Sequence, residues 1–457
     1  MPTVYPFRAV QFAGGRGDVS AVIAPPYDVL DAQGKAALLA KDARNIVAID
    51  LPHTPAKQLG PPEAYAGAGT AYRARLSDGT LSRQAKPAMF AYRQTFKGAD
   101  GVKTTRRSGM TCAVETLPFG GRPGGGILPH EETFSGPKED RLALMKATAA
   151  QLSPIFGLFA DDAGRATALL HKVMASRPPD QTATTAWGAG GGGESILHES
   201  WTIDDDATVK SYRDALAGED VFIADGHHRY NTALNYIKHL EASGKPLPAD
   251  HAARRCMMVL VGMSDPGLVI WPTHRVLGGM SGYTFDAFQA AAGHTMKFQP
   301  VAGGPAAVDA SLRGAGGPDQ LRVGVYDFAT GRGALAIPAS ADPLAARFPG
   351  KPREWRTLDV AFVQHAIVED ICQPRLNAGK QVTWAFPHTI KEVEEIGRGT
   401  ETGAGGGRGF APQLAVVVRP TPLAAVRAVS KAGELMPQKS TFFYPKLATG
   451  MWVNPLE

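Results

Sequence analysis

Five consecutive residues, Asp225-Gly226-His227-His228-Arg229, sit between a short apolar run, Val221-Phe222-Ile223-Ala224, and a segment where Tyr230, Ala233, Leu234 and Ile237 recur every three or four positions. The run reads as a strand covered on both faces, and the spacing as a helix burying its Tyr230 and Leu234 side. Asp225-Gly226 is the break between them. A helix that starts this way leaves backbone N–H groups unpaired at the positive end of its dipole, which suits a phosphate or a carboxylate. Arg229 adds a forked donor, Gly226 lets a ligand's oxygens approach the backbone, and Asp225 can cap the helix or accept a proton. The structural alternative is a plain Asp-Gly turn with surface histidines. Zinc is the weakest of the three readings, because adjacent helical histidines point apart and no His or Asp pair at i, i+4 supports them.

Three further groups carry chemistry. His130, Glu131, Lys138, Asp140 and Arg141 place two candidate bases, a cation and an anion binder within one short stretch after Pro129. The competing explanation is a solvated loop entering a helix, since Leu142, Met145, Ala149 and Leu152 follow at helical spacing. Thr273-His274-Arg275 ends an apolar strand expected over 268–276. Lys439-Ser440-Thr441 follows a helix and precedes an aromatic strand, and could hold a phosphate or simply form a polar turn. Nearer the N-terminus, Pro25-Pro26 presents Tyr27 and Asp28 rigidly, with Asp28 either a site residue or the cap of a helix over 32–40.

The elements needed to position these groups are legible in outline. Helices are expected over 63–76, 163–175, 207–216, 285–292, 358–372 and 423–435. Strands are expected over 88–96 and 108–115 as a hairpin, and over 153–159, 257–262, 322–326 and 414–418, with an edge strand at 198–203. Without the regular period of a (β/α)-barrel or any internal repeat, the pattern predicts an α+β fold with mixed sheets. The expected organisation is an N-terminal α/β region (1–186), a Gly-rich linker (187–195), a strand-turn-helix core (196–280) and a C-terminal α+β region (281–457). Gly-rich 399–409 reads as an inserted loop.

Composition narrows the class. The 457 residues suffice for two or three domains, and 44% hydrophobic with 20% charged residues excludes a disordered chain. No stretch of eighteen apolar residues and no signal pattern occurs, so a cytoplasmic protein that does not span a membrane is expected. The net charge of +5 is scattered, which argues against nucleic acid as partner. Three distant cysteines, Cys112, Cys256 and Cys372, argue against disulfides and a thiolate metal cluster.

Read together, Pro25-Pro-Tyr-Asp-Val29, His130-Glu131 with Lys138-Glu-Asp-Arg-Leu142, Ser153-Pro-Ile-Phe156, Ala224-Asp-Gly-His-His-Arg-Tyr230, Pro272-Thr-His-Arg275 and Met436-Pro-Gln-Lys-Ser-Thr441 resemble the successive blocks of the domain-of-unknown-function 1015 family. The Asp225-to-Arg229 corner also resembles the signature corner of the ParB/sulfiredoxin-like superfamily, which includes free serine kinases. That resemblance implies a ParB/sulfiredoxin-like core around 221–238 with nucleotide phosphates on the Gly-x-x-Arg turn. His228 stands where sulfiredoxins carry their reactive cysteine, so sulfur chemistry is not expected.

The expected activity is therefore a nucleotide-dependent phosphotransferase acting on a small hydroxyl metabolite, free serine or phosphoserine among the candidates. Asp225, His228, His130 and Glu131 are the expected catalytic groups. Gly226, His227, Arg229, Lys138, Arg141, His274, Arg275, Lys439 and Ser440 are the expected phosphate and nucleotide binders. ATP or ADP with magnesium is the expected cofactor, Asp225 and Glu131 being candidate magnesium ligands. A binding protein that senses a nucleotide or phosphometabolite without turnover is the alternative, and a ParB-like nucleic-acid-binding or nuclease protein the third. A base near the phosphate separates the first two. Oligomeric state is left open.

Overall fold

The structure, a computed structural model, describes residues 1–98, 101–132, 136–186, 194–242, 246–314, 320–399 and 410–457. Most of the expected linker and nearly all of the expected Gly-rich insertion lie outside the described residues. The chain forms two compact units. The first comprises Met1–Pro129, Thr133–Val269 and Pro445–Glu457, and the second His130–Glu132 and Ile270–Tyr444.

In the first unit the strands are β1 (Val4–Tyr5), β2 (Val10–Phe12), β3 (Gly17–Asp18), β4 (Leu81–Arg83), β5 (Met89–Lys97), β6 (Thr104–Glu115), β7 (Ile127–Leu128), β8 (Ala150–Gln151), β9 (Ile155–Phe159), β10 (Gln181–Ala186), β11 (Ser195–Ile203), β12 (Val221–Asp225) and β13 (Arg255–Gly262). The helices are α1 (Ala32–Lys41), α2 (Val47–Asp50), α3 (Pro62–Ser77), α4 (Gly136–Thr148), α5 (Arg165–Ser176), α6 (Asp206–Ala215) and α7 (His227–Glu241). Among the described residues one mixed sheet runs β3-β10-β11-β5-β6-β13-β9-β12-β7, with β1 added on β6. β5 and β6 form the expected hairpin, with Phe90 opposite Thr111 and Lys97 opposite Thr104. β13 pairs antiparallel with β6 but parallel with β9, so the fold is α+β with mixed sheets.

β12 is buried along Val221–Ala224 because helices and neighbouring strands cover it, as an uninterrupted apolar run requires. α7 buries Tyr230, Ala233 and Ile237, and Leu234 packs half-buried against the same core as Ile223 and Tyr230. α4 packs against both α3 and α7, and Arg141 of α4 and Arg229 of α7 line one cavity.

Two expectations outside the candidate site are corrected in the first unit. The strand at 198–203 is no edge: β11 lies between β10 and β5. Its polar His198 is tolerated inside because Tyr92 Oη meets one ring nitrogen at 2.6 Å and Thr185 Oγ1 the other at 2.8 Å. The cap of α1 is Asp31, whose side chain accepts from the Gly34 N–H at 2.7 Å, while Asp28 sits earlier in a single 3-10 turn, Tyr27–Val29.

β14 (Val269–Trp271), whose last two residues belong to the second unit, and β15 (Arg275–Gly278) replace the single strand expected over 268–276, Pro272 removing a donor between them. With β16 (Met296–Val301), β17 (Val323–Asp327), β18 (Gly333–Pro338), β19 (Thr383–Ala385) and β20 (Pro412–Val417), β15 builds a sheet ordered β16-β18-β17-β20-β15-β19. Helices Phe285–Ala292 and Leu423–Lys431 lie where periodicity placed them, and the aromatic strand β21 (Phe442–Tyr444) follows Lys439-Ser440-Thr441.

Candidate functional site

At the end of β12 the chain turns at Gly226, whose φ of 93° lies in the left-handed region that glycine tolerates. Gly226, not Asp225, occupies the N-cap position of α7. That frees the Asp225 carboxylate for other partners: Oδ2 accepts from Arg229 Nη2 at 2.5 Å, and Oδ1 accepts from Lys446 Nζ. Arg229 Nη1 donates to the Pro154 carbonyl, so the guanidinium is held on two sides. A β-carbon on Gly226 would stand 3.1 Å from that guanidinium, which makes this glycine a spacer as well as a turn. Burial by itself would raise the Asp225 carboxyl, but Lys446 and Arg229 outweigh it and hold the group well below the usual carboxylate range. Asp225 is thus a fixed anion that positions two cations, and a poor proton acceptor at neutral pH. His227 is buried and His228 half-buried on the first turn of α7.

A second guanidinium stands next to this corner. Arg141, on α4, donates through Nε to Asp140 Oδ2 at 2.9 Å and through Nη1 to the Asp50 carbonyl at 2.6 Å. Its face lies 4.0 Å from the centre of the Tyr27 ring. Asp140, fully buried, also accepts from Tyr65 Oη at 2.8 Å and meets His53 Nε2 at 2.9 Å. One polar atom is left over: Arg141 Nη2 is buried and has no hydrogen-bond partner among the described residues. Arg141, Arg229, Asp50, Thr232 and Met257 help line a cavity of about 40 Å³. Burial pushes the Asp50 carboxyl up, against the pull of Arg141 and Arg229, and burial likewise raises the Tyr27 phenol.

The second unit gathers a different set. Glu131 Oε1 accepts from the Lys439 N–H at 2.8 Å, and His130 Nε2 meets Thr441 Oγ1 at 2.8 Å. Arg275, 3% exposed, donates to the carbonyls of Thr273 and Lys439, the latter at 3.0 Å, and Ser440 Oγ donates to the Pro437 carbonyl at 2.5 Å. Burial lowers the Arg275 pKa to about 10, with Glu131 opposing. Burial also pushes His274 down to about 3, and its Nδ1 accepts from the Val418 N–H at 3.2 Å, so the ring is neutral. These bonds brace a turn in which Lys439 has a positive φ of 60°.

The sequence-derived candidates therefore divide. Asp225, Gly226, His227, His228, Arg229, Lys138 and Arg141 belong to the first unit; His130, Glu131, His274, Arg275, Lys439 and Ser440 belong to the second. Within the first, Arg141 and Arg229 line one cavity, and Lys138 lies half-buried on the first turn of α4. Sequence reasoning missed Lys446, Asp50, Asp140 as a clamp, His53 and Tyr65. Asp50 had a faint signal, an acid closing the apolar stretch Ile46-Val47-Ala48-Ile49; Lys446 had none beyond its charge. Among the described residues no group of three or more His, Cys, Asp or Glu could hold a metal ion, and no helix is long and apolar enough to cross a membrane.

An α+β fold carrying a partly buried, doubly cationic corner at a strand-to-helix turn is the class these observations define. The chain belongs to the family described as "Protein of unknown function (DUF1015)", which it matches over residues 4–361. No curated protein matches it. Among solved structures it is similar to a mutant free serine kinase in complex with AMP, with 10% identity and a TM-score of 0.33 over 71% of this chain and 89% of that one. It is also similar to a conserved hypothetical protein from Pyrococcus furiosus, at 11% identity and a TM-score of 0.31 over 73% of this chain and 98% of that one. A C-terminally truncated SbnI from Staphylococcus aureus is similar at 11% identity and a TM-score of 0.30, over 72% and 83%.

Proposed function

We propose that this protein is a nucleotide-dependent phosphotransferase that acts on a hydroxyl of a small metabolite, with ATP or ADP as the nucleotide and free serine or phosphoserine as the first acceptors to try. The observation that carries the reading is the largely buried Arg229 guanidinium, held by Asp225 and the Pro154 carbonyl at the N-terminal end of α7, with Lys446 on the same carboxylate. Phosphoryl transfer asks a protein mainly for positioned positive charge around the moving group, and pre-held guanidiniums supply it without reorganising. The positive end of the α7 dipole adds to the attraction for phosphate oxygens.

In this reading Asp225 positions Arg229 and Lys446 rather than taking the proton. His228, half-buried in the same turn, is a candidate for the hydroxyl proton, and His130 and Glu131 are tested beside it by substitution. Magnesium, which would neutralise the nucleotide's phosphates, fits this chain best as a passenger of the nucleotide, since both Asp225 oxygens already face cations. Incubation of the full chain with ATP or ADP and a panel of hydroxyl metabolites, followed by phosphorus NMR, tests the proposal. Transfer to one acceptor supports it, and its absence from every pair speaks for the second reading.

That second reading, a nucleotide or phosphometabolite sensor without turnover, draws on one specific observation. The only carboxylate of the Asp225-to-Arg229 corner is tied up as an ion-pair partner, which favours binding over proton transfer.

A further inference from the structure

The Arg141 guanidinium is fixed on three sides: Asp140 takes Nε, Asp50 takes Nη1, and the Tyr27 ring lies against its face. Its remaining Nη2 is buried without a partner among the described residues, although a buried unpaired donor is costly and seldom left so. Arg141 lines a cavity of about 40 Å³ together with the charged Arg229 and Asp50 and the apolar Leu144, Leu152 and Met257. A water needs about 10–15 Å³ on this measure. The space therefore takes a few heavy atoms more than a single water.

We propose that this cavity is a binding site for the carboxylate of a small organic acid, whose oxygens take the spare edge of Arg141 and whose short carbon body lies against Leu144, Leu152 and Met257. A carboxylate needs donors at one end only, and the carbon body it carries suits a lining in which Leu144, Met145, Leu152, Ile155 and Met257 are apolar. A phosphate carries acceptor oxygens in every direction, so part of it would face the apolar wall without donors. The assignment goes beyond the phosphotransferase reading and does not depend on it: it names a second ligand, of different chemistry from the nucleotide, and rests on the unpaired Nη2 and the lining alone.

The test is calorimetric titration of the full chain with propionate and, separately, with inorganic phosphate. Arg141→Lys keeps the charge and removes the fork, and Ala150→Val fills the cavity from its wall without altering any charge. Propionate is expected to bind the wild type and to lose about tenfold or more in affinity in each variant, in Arg141→Lys through roughly one good charge-assisted hydrogen bond and in Ala150→Val through the space lost. Should Arg141→Lys fail to fold, Ala150→Val carries the comparison. No propionate binding, equal affinity in wild type and Ala150→Val, or tighter binding of phosphate than of propionate would overturn the proposal. Nucleotide titrations run in parallel keep the two ideas apart, since a chain that binds propionate but no nucleotide contradicts the phosphotransferase reading alone.

Discussion

Lys446 lies 221 positions beyond Asp225 in the chain, yet its ammonium donates to Asp225 Oδ1 while Arg229 closes on Oδ2 at 2.5 Å. One largely buried carboxylate thus ties the C-terminal segment of the first unit to the first turn of α7. Removing it leaves two cations facing each other, and Asp225→Asn is expected to cost about 3–5 kcal/mol, as for other broken buried pairs. Because the folded carboxyl titrates well below its unfolded value, its contribution is present above about pH 4 and is lost as pH falls towards the folded value. Urea unfolding of both proteins should show their stability gap narrowing between about pH 5 and about pH 2. A gap that stays constant over that range would show that the ion pair is not its source.

Tyr65 supports the other guanidinium at one remove. Its hydroxyl donates to Asp140 and accepts from the Gly60 N–H at 2.7 Å, so Tyr65→Phe strips a bond from a buried carboxylate and leaves a backbone donor short. The expected loss is about 1–3 kcal/mol, visible as a lowered Tm. An unchanged Tm would mean that water replaces the hydroxyl at no cost.

His198 and His274 are buried in different units, and burial holds both down to about 3. Their folded values lie below the unfolded one of about 6.5, so the unfolded chain binds more protons between these limits. Stability from neutral burial is complete above about pH 6.5 and declines on acidification, by up to about 1.4 kcal/mol per pH unit for each ring. Histidine ring resonances followed by NMR should show two rings that remain neutral at about pH 5, where ordinary histidines are protonated.

The three cysteines are all buried, and burial pushes Cys256 and Cys372 up to about 12 and Cys112 higher. With so little thiolate present, none should react with an aromatic disulfide reagent in the native state, and all three should react once the chain is unfolded. Fast reaction of one thiol in the native protein would show local opening at that position.

The corner was legible because its signal is local: an apolar run, an Asp-Gly break and a 3.6-residue period all lie within Val221 to Ile237. The same locality explains the hairpin at 89–115 and the helix from Pro62. What escaped reading depends on packing between distant segments. Lys446 has no periodic neighbours that mark it, and Asp50 and Asp140 become partners of Arg141 only because α4 packs where the short α2 ends. Asp28 and Asp31 are both acids shortly before α1, and the 3-10 turn at Tyr27–Val29 decides that the later one caps it. The edge assignment of β11 failed for a related reason: polar residues on a strand suggest exposure until Tyr92 and Thr185 satisfy His198 inside.

The central claim is that Arg229 at the Gly226 turn holds nucleotide phosphates. Calorimetric titration of ATP and ADP into the wild type and Arg229→Ala tests it most directly, with circular dichroism to confirm that the variant is folded. The account predicts measurable binding to the wild type and a loss of about 2–3 kcal/mol in the variant, of the size of a hydrogen bond to a charged group. Full nucleotide affinity in a folded Arg229→Ala protein would contradict it.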